Sequence, residues 1–378
     1  MRPSRRSLTH IAARLDLPIT ALLREGGPTA DARVAELERL CEARHYAEAL
    51  DRAQAMLRAN SPMSGRLVAA ANHHAGVALH HLGRPQEAIE RLRLAQTHAL
   101  ALPDPWLVAE SLDWEAAATH VINDTRALDL GREALRRYRL LHPRRPEVEA
   151  RMLEHLGGYW SRQGAHHRAE ASYHEALHMV GAVRDLGSMG RIYHGLAICA
   201  YQTGDLRRSI ELMRKAVAFY STEQELQPDG TRTLSLPKAE NDMAMLLTEV
   251  GQLEQADELL QSALSHFAVA GMDQFRVHVL HSISSLRQRQ GRIDEAFDYA
   301  RDTVALAASL GLPVPGAEGL KQLGELYAAC GRDDEADASY ARAMELLRAA
   351  ELPDQVAECE KAYQQLRRRR VAGQPPSA

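Results

Sequence analysis

The sequence predicts an all-α fold of about eight stacked helical hairpins. Small and apolar residues recur at the i, i+3, i+4 and i+7 spacing of one helix face, as at Leu320, Leu323, Gly324 and Tyr327. A glycine followed five residues later by a small residue returns about every 40 residues. Aromatic residues make up only 5% of the chain, and runs of β-branched residues typical of strands are absent. Because one hairpin cannot bury its apolar faces alone, the hairpins must stack.

The clearest copy of the repeat runs from Gly316 to Ala350, and a second close copy runs from Gly157 to Ala176. The first contains L-x-x-L-G-x-x-Y-x-x-x-G-x-x-x-x-A-x-x-x-Y-x-x-A, a pattern that resembles the tetratricopeptide repeat (TPR). The resemblance covers residues 31–350 and implies a right-handed superhelical solenoid whose first helices line a concave groove. The small residues at the anchor position of successive repeats are Ala49, Ala88, Ala127, Ala169, Ser209, Ala256, Ala296 and Ala336.

Glycine and proline mark the predicted boundaries of the helices. Proline opens some repeats, as at Pro105 and Pro146, and glycine closes the first helix of six of them. These glycines are Gly83, Gly164, Gly204, Gly251, Gly291 and Gly331. The predicted hairpins lie near 31–58, 65–100, 106–141, 147–181, 186–221, 237–269, 274–310 and 315–350. The solenoid thus spans 27–350, a capping helix fills 351–370, and a disordered tail of 371–378 follows.

The N-terminal segment 1–26 differs from the repeats. It resembles the end of a lambda-repressor-type (xenobiotic-response-element family) helix-turn-helix domain, as found in bacterial TPR-containing transcriptional regulators. The matching positions are Arg2, Pro3, Ser4, Leu8, Ile11, Ala12, Leu15, Pro18, Leu22 and Leu23. In that family the recognition helix precedes this segment, so the resemblance implies DNA contact only through helices missing from this chain. The alternative is an amphipathic N-terminal cap of the solenoid, joined to it by the polar linker 26–31.

One spacing between successive anchor residues is longer than the others. Ser209 and Ala256 are 47 residues apart, and the extra residues fall between Ser221 and Pro237. A loop longer than its counterparts is often functional, while a tolerated insertion is the alternative interpretation.

The composition favours a cytoplasmic protein without a membrane partner. There is no apolar run of about 18 residues and no signal peptide. Four cysteines without a C-x-x-C spacing predict reduced thiols. The formal net charge of −4 gives no general attraction to nucleic acid, and the excess of arginine over lysine suggests a bacterial source.

Sequence motifs of catalysis are missing. There is no Walker loop, G-x-S-x-G, H-E-x-x-H or zinc-type Cys/His set. His174 and His178 have the i, i+4 spacing of a chelating pair, but nothing completes a metal shell. We therefore predict no enzyme activity, no catalytic residue, no metal and no cofactor.

Polar and basic residues recur at equivalent positions on the first helices, where few acidic residues occur. Arginine can bind a carboxylate bidentately, asparagine can both donate to and accept from a peptide backbone, and histidine titrates near neutral pH. The alternative is a hydrated face without a ligand. The predicted peptide- or partner-binding residues are Arg151, Glu154, Arg191, His194, Tyr201, Lys238, Asn241, His278 and His281.

These observations predict a TPR sensor or scaffold that binds a protein or a short signalling peptide in its concave groove. The resemblance at the N-terminus favours the sensor part of a bacterial transcriptional regulator, for which a homodimer is a plausible form. The alternative is a stand-alone TPR adaptor that assembles a protein complex without any role in transcription.

Overall fold

The computed structural model describes residues 30–59, 63–102, 104–122, 124–183, 185–226 and 234–371. Within these ranges the chain forms 17 α-helices and no strand, which confirms the predicted all-α fold. The segment 1–26, which resembles part of a helix-turn-helix domain, lies outside the described residues, as does the predicted tail beyond Val371.

The helices alternate along the chain between a first and a second helix of each repeat, and one further helix follows them. They are α1 (Ala30–Glu42), α2 (Tyr46–Arg58), α3 (Gly65–His81), α4 (Pro85–Leu100), α5 (Pro105–Val121), α6 (Ala127–Arg139), α7 (Pro146–Arg162), α8 (His166–Val183), α9 (Leu186–Gln202), α10 (Leu206–Glu225), α11 (Ser235–Glu249), α12 (Leu253–Val269), α13 (Asp273–Arg289), α14 (Ile293–Ser309), α15 (Pro313–Ala329), α16 (Asp333–Ala349) and α17 (Pro353–Val371).

The segment predicted as a long loop is helical at both ends. Helix α10 continues to Glu225, and α11 begins at Ser235. Pro237 lies in the first turn of α11, where a proline is tolerated because its missing N–H would have no partner in the helix. The loop is therefore shorter than 221–237, and residues 227–233 lie outside the described part of the chain.

Residues with a left-handed backbone conformation form the turns between the two helices of a repeat. The six predicted glycines have φ values between +71° and +84°. Glycine adopts this conformation without the steric penalty of a Cβ. In the first repeat Arg44 takes the same place, with φ of +61°. The predicted turn positions of these glycines are thus confirmed.

The chain divides into two compact units, Met1–Tyr159 and Trp160–Ala378, and the division falls inside α7. The core of the first unit includes Leu37, Leu79 and Leu92. The second unit contains one cluster around Met213, Leu260 and Phe267, and another in which α17 packs its side chains against α15 and α16. All eight anchor residues are buried, seven of them completely. In the described residues no helix is long and apolar enough to cross a membrane.

Candidate functional site

Two side-chain contacts connect α9 to α11 in the second unit. His194 Nε2 lies 2.8 Å from Asp242 Oδ2, and the Tyr201 hydroxyl donates to Glu249 Oε1 at 2.5 Å. The hydrogen bond to Glu249 raises the pKa of Tyr201 to about 12, so the hydroxyl stays a donor. In each pair the two residues are 48 positions apart in the sequence. A constant separation requires the two helices to run in the same direction, as successive first helices do in a repeat array.

Three polar side chains on successive first helices form what we call the polar row: Asn241 on α11, His281 on α13 and Gln322 on α15. The buried Asn241 Oδ1 has no hydrogen-bond partner among the described residues, while the His281 and Gln322 side chains interact with each other. Asn241 is 7% exposed and Gln322 is 4% exposed. Leaving such an atom unpaired costs about 1–3 kcal/mol, so the row can bind a ligand that supplies matching groups.

Hydrogen bonds hold the amide nitrogens of Gln322 and Asn241 in place. Gln322 Nε2 donates to Ser285 Oγ at 2.7 Å and to the His281 carbonyl at 3.3 Å. Asn241 Nδ2 donates to Asp242 Oδ1 at 3.2 Å. Both amides are therefore fixed in orientation, and the carbonyl oxygen of Asn241 is left as an unused acceptor.

The protonation of His281 follows from its surroundings. Burial lowers the pKa of His281 below its ordinary value, and the nearby Glu318 carboxylate acts in the opposite direction. The imidazole is therefore neutral at pH 7 and offers one donor and one acceptor. Binding that depends on His281 should change with pH below its ordinary titration range, whereas the sequence analysis expected a change near neutrality.

The predicted cations of the second unit have contacts within the protein. The Lys238 side chain is exposed, but its ammonium lies 4.0 Å from the centre of the Phe275 ring. Although much of the side chain is accessible, partial burial of its ammonium lowers the pKa of Lys238, and the Asp242 carboxylate opposes this effect. Arg191 Nη2 donates to Ser188 Oγ at 2.7 Å. His278 is exposed, one turn before His281.

In the first unit the half-buried Arg151 belongs to an ionic network. Its guanidinium donates to Asp113 Oδ2 at 3.1 Å and to Glu110 Oε2 at 3.4 Å, and it lies 5.0 Å from the centre of the Trp114 ring. His155 Nδ1 is 2.9 Å from Asp113 Oδ1. Burial alone would raise the pKa of Asp113, but His155 and Arg151 lower it below its usual range.

The expectation of few acidic residues on the first-helix surfaces is therefore wrong. Asp113 and Glu110 neutralise Arg151, and Asp242 lies beside His194. Asp113 and Asp242 lie 14 positions before their anchor residues, one position beyond the offset at which the basic and amide residues recur. Glu154 follows Arg151 by one helical turn and is half-buried. That Arg151 and Glu154 bind a ligand stays a prediction.

Sequence reasoning also missed Gln322, although it identified the other two members of the polar row. Gln322 lies one position beyond the residue that the anchor spacing selects, which is Lys321. The available signal was a glutamine close to Leu320 and Leu323 on a first helix, since a buried amide needs partners. Among the described residues no group of three or more His, Cys, Asp or Glu has a geometry that could hold a metal ion.

Comparisons with known proteins support this architecture. A family model described as tetratricopeptide repeat matches residues 320–354. No curated protein sequence matches the chain. Among solved structures, a Rap protein complexed with competence and sporulation factor has a TM-score of 0.66 at 16% identity, covering 93% of this chain and 96% of its own.

Two further structures have the same fold. The apo form of the quorum sensor NprR from B. thuringiensis has a TM-score of 0.66 at 12% identity, and the similarity covers 90% of this chain and 96% of that protein. The Rap conjugation gene regulator of the plasmid pLS20, in complex with the Phr* peptide, has a TM-score of 0.59 at 14% identity. This similarity covers 95% of this chain and 91% of that regulator. The chain therefore has the fold of TPR solenoids of this architecture.

Proposed function

We propose that this chain is a peptide sensor, and that the first helices of its second unit bind a short peptide in an extended conformation. The observation that carries the proposal is the polar row, in which three polar side chains follow one another on successive first helices and the buried Asn241 Oδ1 has no partner among the described residues. The free Asn241 amide oxygen suits a backbone N–H donor of a ligand.

The spacing of the row is compatible with an extended chain. Packed helices lie about 8–10 Å apart, and an extended peptide advances about 3.3 Å per residue. In the extended polyproline II conformation, which has three residues per turn and a rise of about 3.1 Å per residue, every third residue of such a peptide would face one member of the row. Successive members of the row are 40 and 41 positions apart in the sequence, which is one repeat each.

The similar structures support a peptide as the ligand class. One of them holds the Phr* peptide, and another is described as a quorum sensor. The finer proposal, which draws on the resemblance of residues 1–26, is that the chain senses a signalling peptide for a bacterial transcriptional regulator. The alternative is a TPR adaptor that binds a folded protein partner, since TPR surfaces serve both roles.

The test is selection of peptides from a displayed library of random heptapeptides, followed by calorimetry with the most enriched sequence. Asn241→Ala should weaken binding of this peptide about tenfold or more, because the ligand loses a hydrogen bond to a buried acceptor. The free protein should remain as stable or become more stable, because the substitution removes an unpaired buried oxygen.

The matched control is Asn72→Ala on α3. Asn72 is also buried, but its amide is paired on both sides, through Val68 O at 2.9 Å and Arg91 Nη1 at 3.3 Å. This variant should lose stability and keep its affinity for the peptide. If no heptapeptide is enriched, while a folded protein binds the chain, the adaptor function replaces the sensor.

A further inference from the structure

Three large apolar side chains are exposed where α9 and α11 lie side by side. Ile198 and Tyr201 are each 40% exposed, and Met245 is 48% exposed. We call these three residues the apolar patch. Most other exposed large apolar residues of the described chain lie at the last position of a helix or directly after it, such as Val269, Leu226 and Leu310. The ends of helices thus account for the exposure of most other large apolar residues, but not for the exposure of the apolar patch.

Two members of the patch, Ile198 and Met245, lie between the two polar contacts of the same helices, and the third, Tyr201, makes one of these contacts. Ile198 follows His194 by one turn and precedes Tyr201, while Met245 lies between Asp242 and Glu249. The His194–Asp242 and Tyr201–Glu249 contacts are about 10 Å apart along the helices, from the rise of 1.5 Å per residue. This distance leaves room for one side chain of a ligand between them.

The patch is directly adjacent to the polar row. Asn241 Nδ2 lies 3.9 Å from Met245 Sδ, so the unpaired Asn241 oxygen and the exposed thioether belong to one small surface. A backbone N–H that donates to Asn241 would bring a neighbouring side chain of the same peptide onto Ile198 and Met245. An acidic side chain is disfavoured there, since the carboxylates of Asp242 and Glu249 flank the patch.

We propose that Ile198, Tyr201 and Met245 form a specificity subsite for one aliphatic side chain of the bound peptide, next to the residue whose backbone N–H binds Asn241. The inference rests on the proposed peptide-sensing function and adds the chemical class of one ligand side chain. Methionine suits this role because its flexible thioether adapts to branched and unbranched aliphatic groups.

The experiment repeats the selection from random heptapeptides with three proteins. They are the wild type, the double variant Ile198→Ser with Met245→Ser, and the control double variant Val269→Ser with Leu310→Ser. The control removes exposed apolar side chains of the same unit at the ends of second helices. Wild type and control should enrich peptides with an aliphatic residue at one fixed position, and the patch variant should lose this preference.

A second measurement uses the most enriched wild-type peptide and its variant with alanine at the aliphatic position. The alanine peptide should bind about tenfold or more weakly to the wild type, since an aliphatic group in a pocket contributes an effect of this order. For the patch variant, the affinities of the alanine peptide and the parent peptide should differ by no more than about twofold. The substitution in the peptide and the substitutions in the protein remove the same contact.

The outcomes separate the subsite from the sensing function. Enriched peptides without an aliphatic preference, or an equal effect of alanine on all three proteins, would overturn the subsite and leave peptide binding intact. Failure of every heptapeptide to be enriched would overturn both proposals.

Discussion

Ser209 shows why the anchor position of each repeat accepts only a small side chain. It is completely buried on α10, and its hydroxyl donates to the Ala197 carbonyl of α9 at 2.8 Å. At this separation of two helices there is room for a methyl or a hydroxyl group only. Gly195 illustrates the same limit, because a Cβ at this residue would lie 2.3 Å from Tyr173 Cζ.

The first prediction concerns Ala169, which is completely buried on α8. Ala169→Arg should lower the free energy of unfolding by more than about 3 kcal/mol, because it forces an unpaired guanidinium into close helix packing. Ala171→Arg, on the exposed side of the same helix, should change it by less than about 0.5 kcal/mol. Urea denaturation measures both, and equal stabilities would contradict the repeat register.

The second prediction distinguishes a structural from a ligand-binding role of Arg151. Arg151→Ala leaves the fully buried Asp113 carboxylate without its guanidinium partner, so the free energy of unfolding should fall by about 3 kcal/mol. The control Arg136→Ala removes an exposed pair with Glu133 and should leave stability nearly unchanged. An Arg151→Ala variant as stable as wild type would support the ligand-binding role.

At the scale of elements, α3 is buried on most of its surface and carries four histidines. His73 Nδ1 is 2.8 Å from Ser111 Oγ, and the His80 ring lies 5.4 Å from Trp114. Burial lowers the pKa of His74 to about 4. It also lowers the pKa of His80 to about 4, assisted by His155 and opposed by Asp113. The packed helix therefore requires neutral imidazoles at His74 and His80.

The third prediction is acid destabilisation through α3. In the unfolded chain these histidines titrate near pH 6.5, so below this pH the unfolded state takes up protons that the folded state does not. Stability should be complete above pH ~6.5 and fall between pH ~6.5 and ~4, by roughly 1–2 kcal/mol for each histidine at pH ~5. Denaturation at pH ~7 and ~5 tests this, and His80→Gln should reduce the difference. A difference that His80→Gln leaves unchanged would contradict this origin.

At the scale of the whole molecule, a repeat array exposes the apolar face of its last hairpin unless a further element covers it. Helix α17 supplies this cover in the second unit. Its Cys359 and Leu366 are buried in the same cluster as Leu347, and the Tyr363 ring lies 5.2 Å from Tyr340. A helix without a hairpin partner of its own is thus part of the core.

The fourth prediction follows from this cover. Truncation after Ala350 should expose the apolar face of α15 and α16, lower the melting temperature and cause aggregation. Truncation after Val371 should have no such effect. Size-exclusion chromatography with light scattering and thermal unfolding measure the outcome. A monodisperse protein that ends at Ala350 and melts like the wild type would show that α17 is dispensable.

The helices and their turns could be predicted because local features determine them. Gly204 and Gly331 occupy left-handed turns that few other residues tolerate, and Ala256 and Ala336 occupy anchor positions where larger side chains do not fit. The candidate site could be predicted only in part. Asn241 and His281 were found from the repeat spacing, whereas Gln322 and the apolar patch were not.

The sequence by itself determined the repeat register and the polar character of the first helices, since both depend on residues within one hairpin. Only the tertiary structure decided which polar groups are paired. Asp113 reaches Arg151 across 38 positions, and His194 reaches Asp242 across 48, where the long spacing before Ala256 has shifted the register. Such pairs depend on the rotation and offset of neighbouring repeats, which arise from packing of the whole array and leave no local signal in the chain.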